Sequence, residues 1–117
     1  MGLFSFPKTN RLLKRVEFVR LQEIGKKTYT KYFIANFCPG EREKIRLGIT
    51  VSKKVGNAFV RNRIKRIVRE YFRQNSHKIK GKWDINIIAK KESASIFPSN
   101  ILVMSLEELF YKISREF

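Results

Sequence analysis

The run Val51-Ser-Lys-Lys-Val-Gly-Asn-Ala-Phe-Val-Arg-Asn-Arg-Ile-Lys-Arg-Ile-Val-Arg-Glu-Tyr-Phe-Arg-Gln-Asn75 decides how the chain is read. Its beginning closes a strand. Arg46 to Ser52 alternates Leu47, Ile49 and Val51 with Arg46, Thr50 and Ser52, the two-residue period of a strand with one face buried. Gly56 and Asn57 break that pattern, and Asn57 suits the cap of a helix running to about Asn75. On that helix Val60, Ile64, Ile67, Val68 and Tyr71 share the side that packs on a sheet. Arg61, Lys65 and Arg69 recur every four residues on the other side, with Arg66 and Arg73 beside them. From Lys53 to Arg73 eight basic residues stand against one acid, Glu70, so no ladder of i,i+4 carboxylates relieves their repulsion. A solvated basic face is the plain reading. A phosphate backbone laid along the row is the reading that accounts for the repulsion, since arginine forks grip phosphates and a helix start offers unpaired N–H groups. Binding of that kind is strongly salt-dependent.

Composition agrees with a polyanionic partner. The 117 residues suit one domain spanning 1–117, with 43% hydrophobic residues to fill a single core. Lys and Arg number 26 against 10 Asp and Glu, a formal net charge of +16. The tail differs: from Glu92 to Phe117 four acids outnumber Lys112 and Arg115, which marks that part as scaffold. Cys38 is the sole cysteine, so no intrachain disulfide is possible, and its apolar setting suits a packed thiol. No apolar run reaches the roughly 18 residues of a membrane span. The apolar start Gly2 to Pro7 precedes its positive charges, the reverse of a signal peptide. The expectation is a cytoplasmic protein with no membrane partner.

Working outward, Asn10 is placed to cap a first helix to about Ile24, with Leu13, Val16, Leu21 and Ile24 inward and Arg11, Lys14, Arg15 and Arg20 outward. Tyr29 to Cys38 reads as a strand, with Tyr29, Phe33 and Phe37 on one face and Tyr32 and Ile34 on the other. Pro39 and Gly40 turn the chain into the charged loop Glu41 to Lys44. Gly81 ends a basic link, and Trp83 to Ala89 forms the next strand, Trp83 serving in packing. Ser99 opens a last helix that buries Leu102, Leu106, Leu109, Phe110 and Ile113. The order αββαβα makes a small α+β sandwich, and a βαβ crossover through the central helix has a right-handed default.

At Val51-Ser-Lys-Lys-Val-Gly-Asn-Ala and Val60-Arg-Asn-Arg-Ile-Lys-Arg the chain resembles the bacterial ribonuclease P protein family, including the Arg61-Asn62-Arg63 core after which that motif is named. The order of elements agrees across nearly the whole chain. The resemblance implies an αβββαβα fold, ribosomal protein S5 domain 2-like, with a left-handed crossover that overrides the default. It implies that Lys53, Lys54, Gly56, Asn57, Arg61, Asn62, Arg63, Lys65, Arg66 and Arg69 face a catalytic RNA, Gly56 allowing close backbone approach. It also implies a cleft between the first helix and the sheet for the single-stranded 5′ leader of precursor transfer RNA. Arg15, Phe18, Lys31, Phe33, Arg46 and Thr50 are its candidates, because stacking and backbone charge suit unpaired RNA. Phe18 and Phe33 read equally as core residues. The chain departs from the family pattern at Gln22 and Asn36, where relatives can carry aromatics.

Protein-borne RNA hydrolysis calls for acid-base histidines or carboxylates clustered around metal. Here His77 is the lone histidine and Asp84 the lone aspartate, and no zinc spacing, phosphate-cradling loop or nucleophile motif occurs. The polypeptide therefore reads as a cofactor, and the resemblance implies that it is the protein subunit of an endoribonuclease whose active site and magnesium ions belong mainly to RNA. The rival readings are a ribosomal or assembly RNA-binding protein, a DNA-binding architectural protein, and a protein nuclease. The ribonuclease P reading expects the ribonuclease P RNA and precursor transfer RNA as partners and no DNA.

Overall fold

A computed structural model describes residues 11–12, 14–40 and 44–116. Its elements are α1 (Arg15–Ile24), β1 (Lys26–Tyr29), β2 (Phe33–Pro39), β3 (Arg46–Thr50), α2 (Ala58–Asn75), β4 (Trp83–Ala89) and α3 (Ser99–Ser114). The four strands form one mixed sheet in the order β1-β2-β4-β3. β4 runs antiparallel to β2 and parallel to β3, so β3, α2 and β4 constitute the βαβ unit. The resulting order αβββαβα has one strand more than residue patterning alone supplies.

Side-chain alternation splits the sheet into two unlike faces. Phe33, Ala35 and Phe37 of β2 share a face with Ile85 and Ile87 of β4 and Leu47 of β3. That face meets Ile64, Val68 and Phe72 of α2 and Leu102, Leu106, Leu109 and Ile113 of α3 in one core. Trp83 belongs to it, edge-on to Phe37 at 5.4 Å, with its indole N–H donating to the Lys80 carbonyl. Cys38 is buried as expected of a packed thiol, on the other face with Leu12 and Leu21. Asn57 caps α2, its Oδ1 accepting from the Val60 N–H at 3.0 Å.

Three readings change. The first helix starts at Arg15, not near Asn10, which lies outside the described residues; Glu17 reaches back to accept from the Lys14 N–H at 3.2 Å and fixes the start. Its inward side is Leu21 with the half-buried Phe18, while Val16 and Ile24 are 68% and 61% exposed. Leu12, before the helix, supplies the missing burial by donating its N–H to the Leu47 carbonyl along the edge of β3. Finally, Tyr29 to Cys38 is not one strand: Thr30 to Tyr32 turn the chain between β1 and β2, and Lys26 to Tyr29 pair antiparallel with Phe37 to Ile34.

Candidate nucleic-acid interface

The second sheet face is only partly covered. α1 crosses it over the end where Asp84 and Cys38 sit; toward the other end Thr50 is exposed and Ile34 half-buried, while Asn36 and Asn86 are buried. Gly48 fixes how closely α1 lies: a Cβ there would come within 2.4 Å of the Phe18 ring and 3.3 Å of Leu12. Phe18 thus rests on the backbone of β3, with part of its ring at the surface. Beside it a groove of about 230 Å³ is lined by Arg11, Phe18, Gly48 and Ile49 on one wall and by Lys65 and Arg69 of α2 on the other. The basic helix and the α1 cleft therefore open onto each other around the outer edge of β3, a junction that neither stretch of sequence announces.

The floor beyond Phe18 is polar. Thr50 donates its hydroxyl to Asn86 Oδ1 at 3.0 Å. Asn36 is 3% exposed and its Oδ1 has no hydrogen-bond partner among the described residues. Buried amide oxygens are seldom left so, and this one is enclosed in the sheet face rather than presented to the groove. Asn36 is paired with Asn86 across β2 and β4, so two buried amides lie side by side on this face.

Two expected leader residues lie elsewhere or are otherwise engaged. Phe33 is fully buried on the opposite sheet face, because its register with Ala89 turns its ring into the core shared with α2 and α3. Arg46 sits on the α1 face with a side chain only 13% exposed, clasped by two carboxylates. It donates from Nε and Nη2 to the oxygens of Asp84 at 2.9 and 2.8 Å, and from Nη1 to Glu17. The bonds to Asp84, then to Glu17, push its pKa upward against the effect of burial. Its charge is matched inside the protein, and its work is to pin α1 to the sheet. Arg15, Thr50 and Lys31 remain exposed, Lys31 with its ammonium 5.6 Å from the centroid of Tyr32.

On α2 and the preceding turn, Lys53, Lys54, Asn62, Arg66 and Arg69 are exposed and Lys65 is half-buried. Arg63 turns the other way: Nη1 donates to the Ile96 carbonyl at 2.9 Å and Nη2 to that of Phe97. Arg61 is half-buried, its Nε enclosed without a partner among the described residues. Gly56 has no left-handed backbone; a Cβ there would press on Val60 at 3.1 Å, so the glycine lets the turn fold onto the first turn of α2. Arg73 is bonded to Glu70 at 2.7 Å, which holds the Glu70 carboxyl below its usual range. The row is therefore narrower than its spacing suggests.

Among the described residues no group of three or more His, Cys, Asp or Glu gathers as a metal site. Asp84 and Glu17, drawn together by Arg46, give oxygens to its guanidinium and do not fit a magnesium ion. No helix is long and apolar enough to cross a membrane.

A basic helix edge beside a groove that holds an aromatic ring defines a small α+β RNA-binding domain. The Ribonuclease P family profile matches residues 6–114. The ribonuclease P protein component of Desulfosudis oleivorans is 52% identical over 117 residues, covering 100% of this chain and 96% of its own. That of Desulforapulum autotrophicum is 54% identical over 115 residues, covering 98% and 97%. The solved RNase P protein of Thermotoga maritima superposes with a TM-score of 0.81 at 33% identity, over 88% of this chain and 96% of its own. The chain belongs to the ribonuclease P protein family. It is a protein subunit of ribonuclease P, the endoribonuclease of transfer RNA 5′ processing, and acts within that holoenzyme.

Proposed function

We propose that the protein carries two RNA segments at once around the outer edge of β3. The catalytic RNA lies along Lys53, Lys54, Asn62, Lys65, Arg66 and Arg69, while Gly56, Asn57, Arg61 and Arg63 shape that surface from behind. The unpaired 5′ leader of precursor transfer RNA occupies the α1 cleft, against Phe18 and Thr50, with Arg15 and Lys31 near its backbone. One observation carries this reading: Phe18 and Gly48 share a groove with Lys65 and Arg69. A strand leaving the cleft meets the cations that hold the catalytic RNA, so leader and active-site RNA are brought side by side.

The contribution to catalysis is positional and electrostatic. Stacking on Phe18 and contact with the exposed Thr50 favour a substrate with a leader over a mature product without one. The exposed cations lower the repulsion between two RNAs, which permits the magnesium ions of the RNA subunit to bind at lower concentration. Magnesium supplies the activated water there. The site of action is the cytoplasm, with the RNA partners.

The test is cleavage of a precursor transfer RNA at low magnesium by a bacterial ribonuclease P RNA, with and without the protein, and with an Arg66→Ala, Arg69→Ala variant. Cleavage at the mature 5′ end should require RNA, rise with the protein and fall back with the variant. Absence of stimulation by the wild-type protein favours a general RNA-binding role instead.

A further inference from the structure

At the far end of α2 a second hollow, of about 400 Å³, opens between the last turns of α2 and α3. Its floor is aromatic: the rings of Tyr71 and Phe110 are stacked, centroids 5.5 Å apart and planes 11° from parallel. Lys78, Lys80 and Arg115 stand on its rim with Glu107 and Tyr111. The Arg115 guanidinium lies 5.9 Å from the centroid of the Tyr111 ring, which is 65% exposed. A neighbouring hollow of about 500 Å³ shares Arg115 and adds Lys26, Lys27 and Lys112. Lys26 is paired with Glu116 at 2.7 Å and Lys112 with Glu108 at 3.5 Å, while Lys27, Lys78 and Lys80 form no ion pair among the described residues.

We propose that these two hollows form a second RNA track, which takes an unpaired strand with one base in the aromatic hollow and its phosphates along Lys78, Lys80, Arg115 and Lys27. A flat aromatic floor ringed by unmatched cations is complementary to a nucleotide, a π-face joined to an anion. A strand is chosen over a lone nucleotide because the cations continue past Arg115 to the free edge of β1. A second copy of the chain is a poor occupant, since each copy carries a net charge of +16. The track shares no residue with the interface described above. The 18 residues of α2, at about 1.5 Å each, set its two ends about 27 Å apart.

Glu107 gives the track a preference. Its carboxylate faces Tyr71, whose pKa is pushed up to about 12 by burial and then by Glu107. The carboxylate can only accept hydrogen bonds, and it favours bases with an exocyclic amino group over uracil, whose single N3–H donor is flanked by two carbonyls that repel it.

The experiment is a titration of the full chain with short oligoadenylate and oligouridylate, read by the backbone amide NMR shifts of each residue. Oligoadenylate should move the amides of Lys78, Ser114 and Arg115 to saturation, and oligouridylate should bind them more weakly. Tyr111→Ala, which removes the exposed ring on the rim of the hollow, should weaken this site about five- to tenfold, while shifts at the Phe18 groove persist. Glu107→Gln should narrow the gap between the two oligonucleotides. Shifts confined to α1, β3 and the first half of α2 overturn the proposal. Adenosine monophosphate binding as tightly as oligoadenylate overturns the strand and leaves a single-nucleotide site. Stimulation of precursor cleavage, measured separately with the ribonuclease P RNA, decides the proposed function whichever way the titration falls.

Discussion

Replacing Arg63 by alanine separates two roles that the Arg-Asn-Arg segment runs together. The wild-type guanidinium donates to the carbonyls of Ile96 and Phe97 and so holds the start of α3 against α2. Bonds of this charge-assisted kind are worth roughly 1.5–3 kcal/mol each. The one to Phe97 is exposed, so about 2 kcal/mol for the pair is the reasonable expectation. A chain of 117 residues melts with an entropy of about 0.25 kcal/mol/K, which converts that loss to a fall in Tm of about 8 °C. Arg66→Ala, at an exposed position without such a tie, should melt close to wild type. In RNA titrations over a salt series, Arg66→Ala should lower the slope of log K against log salt by about one, and Arg63→Ala, assayed well below its Tm, should leave it nearly unchanged. An Arg63→Ala protein that melts with wild type and loses about one from the slope refutes the assignment and returns Arg63 to the RNA surface.

Arg46→Ala leaves Asp84, 2% exposed, with Arg20 at 4.0 Å as its remaining cation, and should cost about 3 kcal/mol by urea denaturation; an unchanged midpoint refutes the clasp. Gly48→Ala drives a Cβ to within 2.4 Å of the Phe18 ring and displaces it. Affinity for precursor should fall about fivefold with that for mature transfer RNA unchanged, and equal losses for both speak against Phe18 as a leader contact. Because the Tyr71 pKa is raised to about 12, the folded state holds a proton that the unfolded chain releases near 10. The stability from this group is complete below pH about 10 and is lost as pH rises toward 12, so Tyr71→Phe should flatten the alkaline loss seen by circular dichroism; an equal loss in both proteins contradicts it.

What could be read from residues follows from how local each signal is. Trp83–Ala89, α2 and the buried side of α3 are legible because each is a long periodic run with its own cap or punctuation. β1 is a four-residue edge strand beginning with two lysines, so it has no apolar alternation to show, and the motif resemblance alone implied it. The inward side of α1 was misread because Leu12, outside the helix, supplies burial that periodicity assigned to Val16 and Ile24. Phe33 could not be placed before its register with β4 was known. Arg46 and Arg63 looked like free cations because their partners lie 38 and 33 or 34 positions away in the chain. One local clue was available for Arg46: Asp84 sits in an apolar strand, and a buried carboxylate requires a cation.

The central position of β4 has a consequence for synthesis. In chain order it is the last strand, yet it lies between β2 and β3, which do not touch each other. A nascent chain that has emerged only as far as Gly81 owns the β1–β2 hairpin, a stranded β3 and the whole basic helix, but no sheet joining them. The RNA-binding row is thus translated before the strand that fixes its place. No amino-terminal fragment ending before Trp83 can serve as a smaller working subunit, and a ribosome stalled in this interval displays unmatched cations without the fold that directs them.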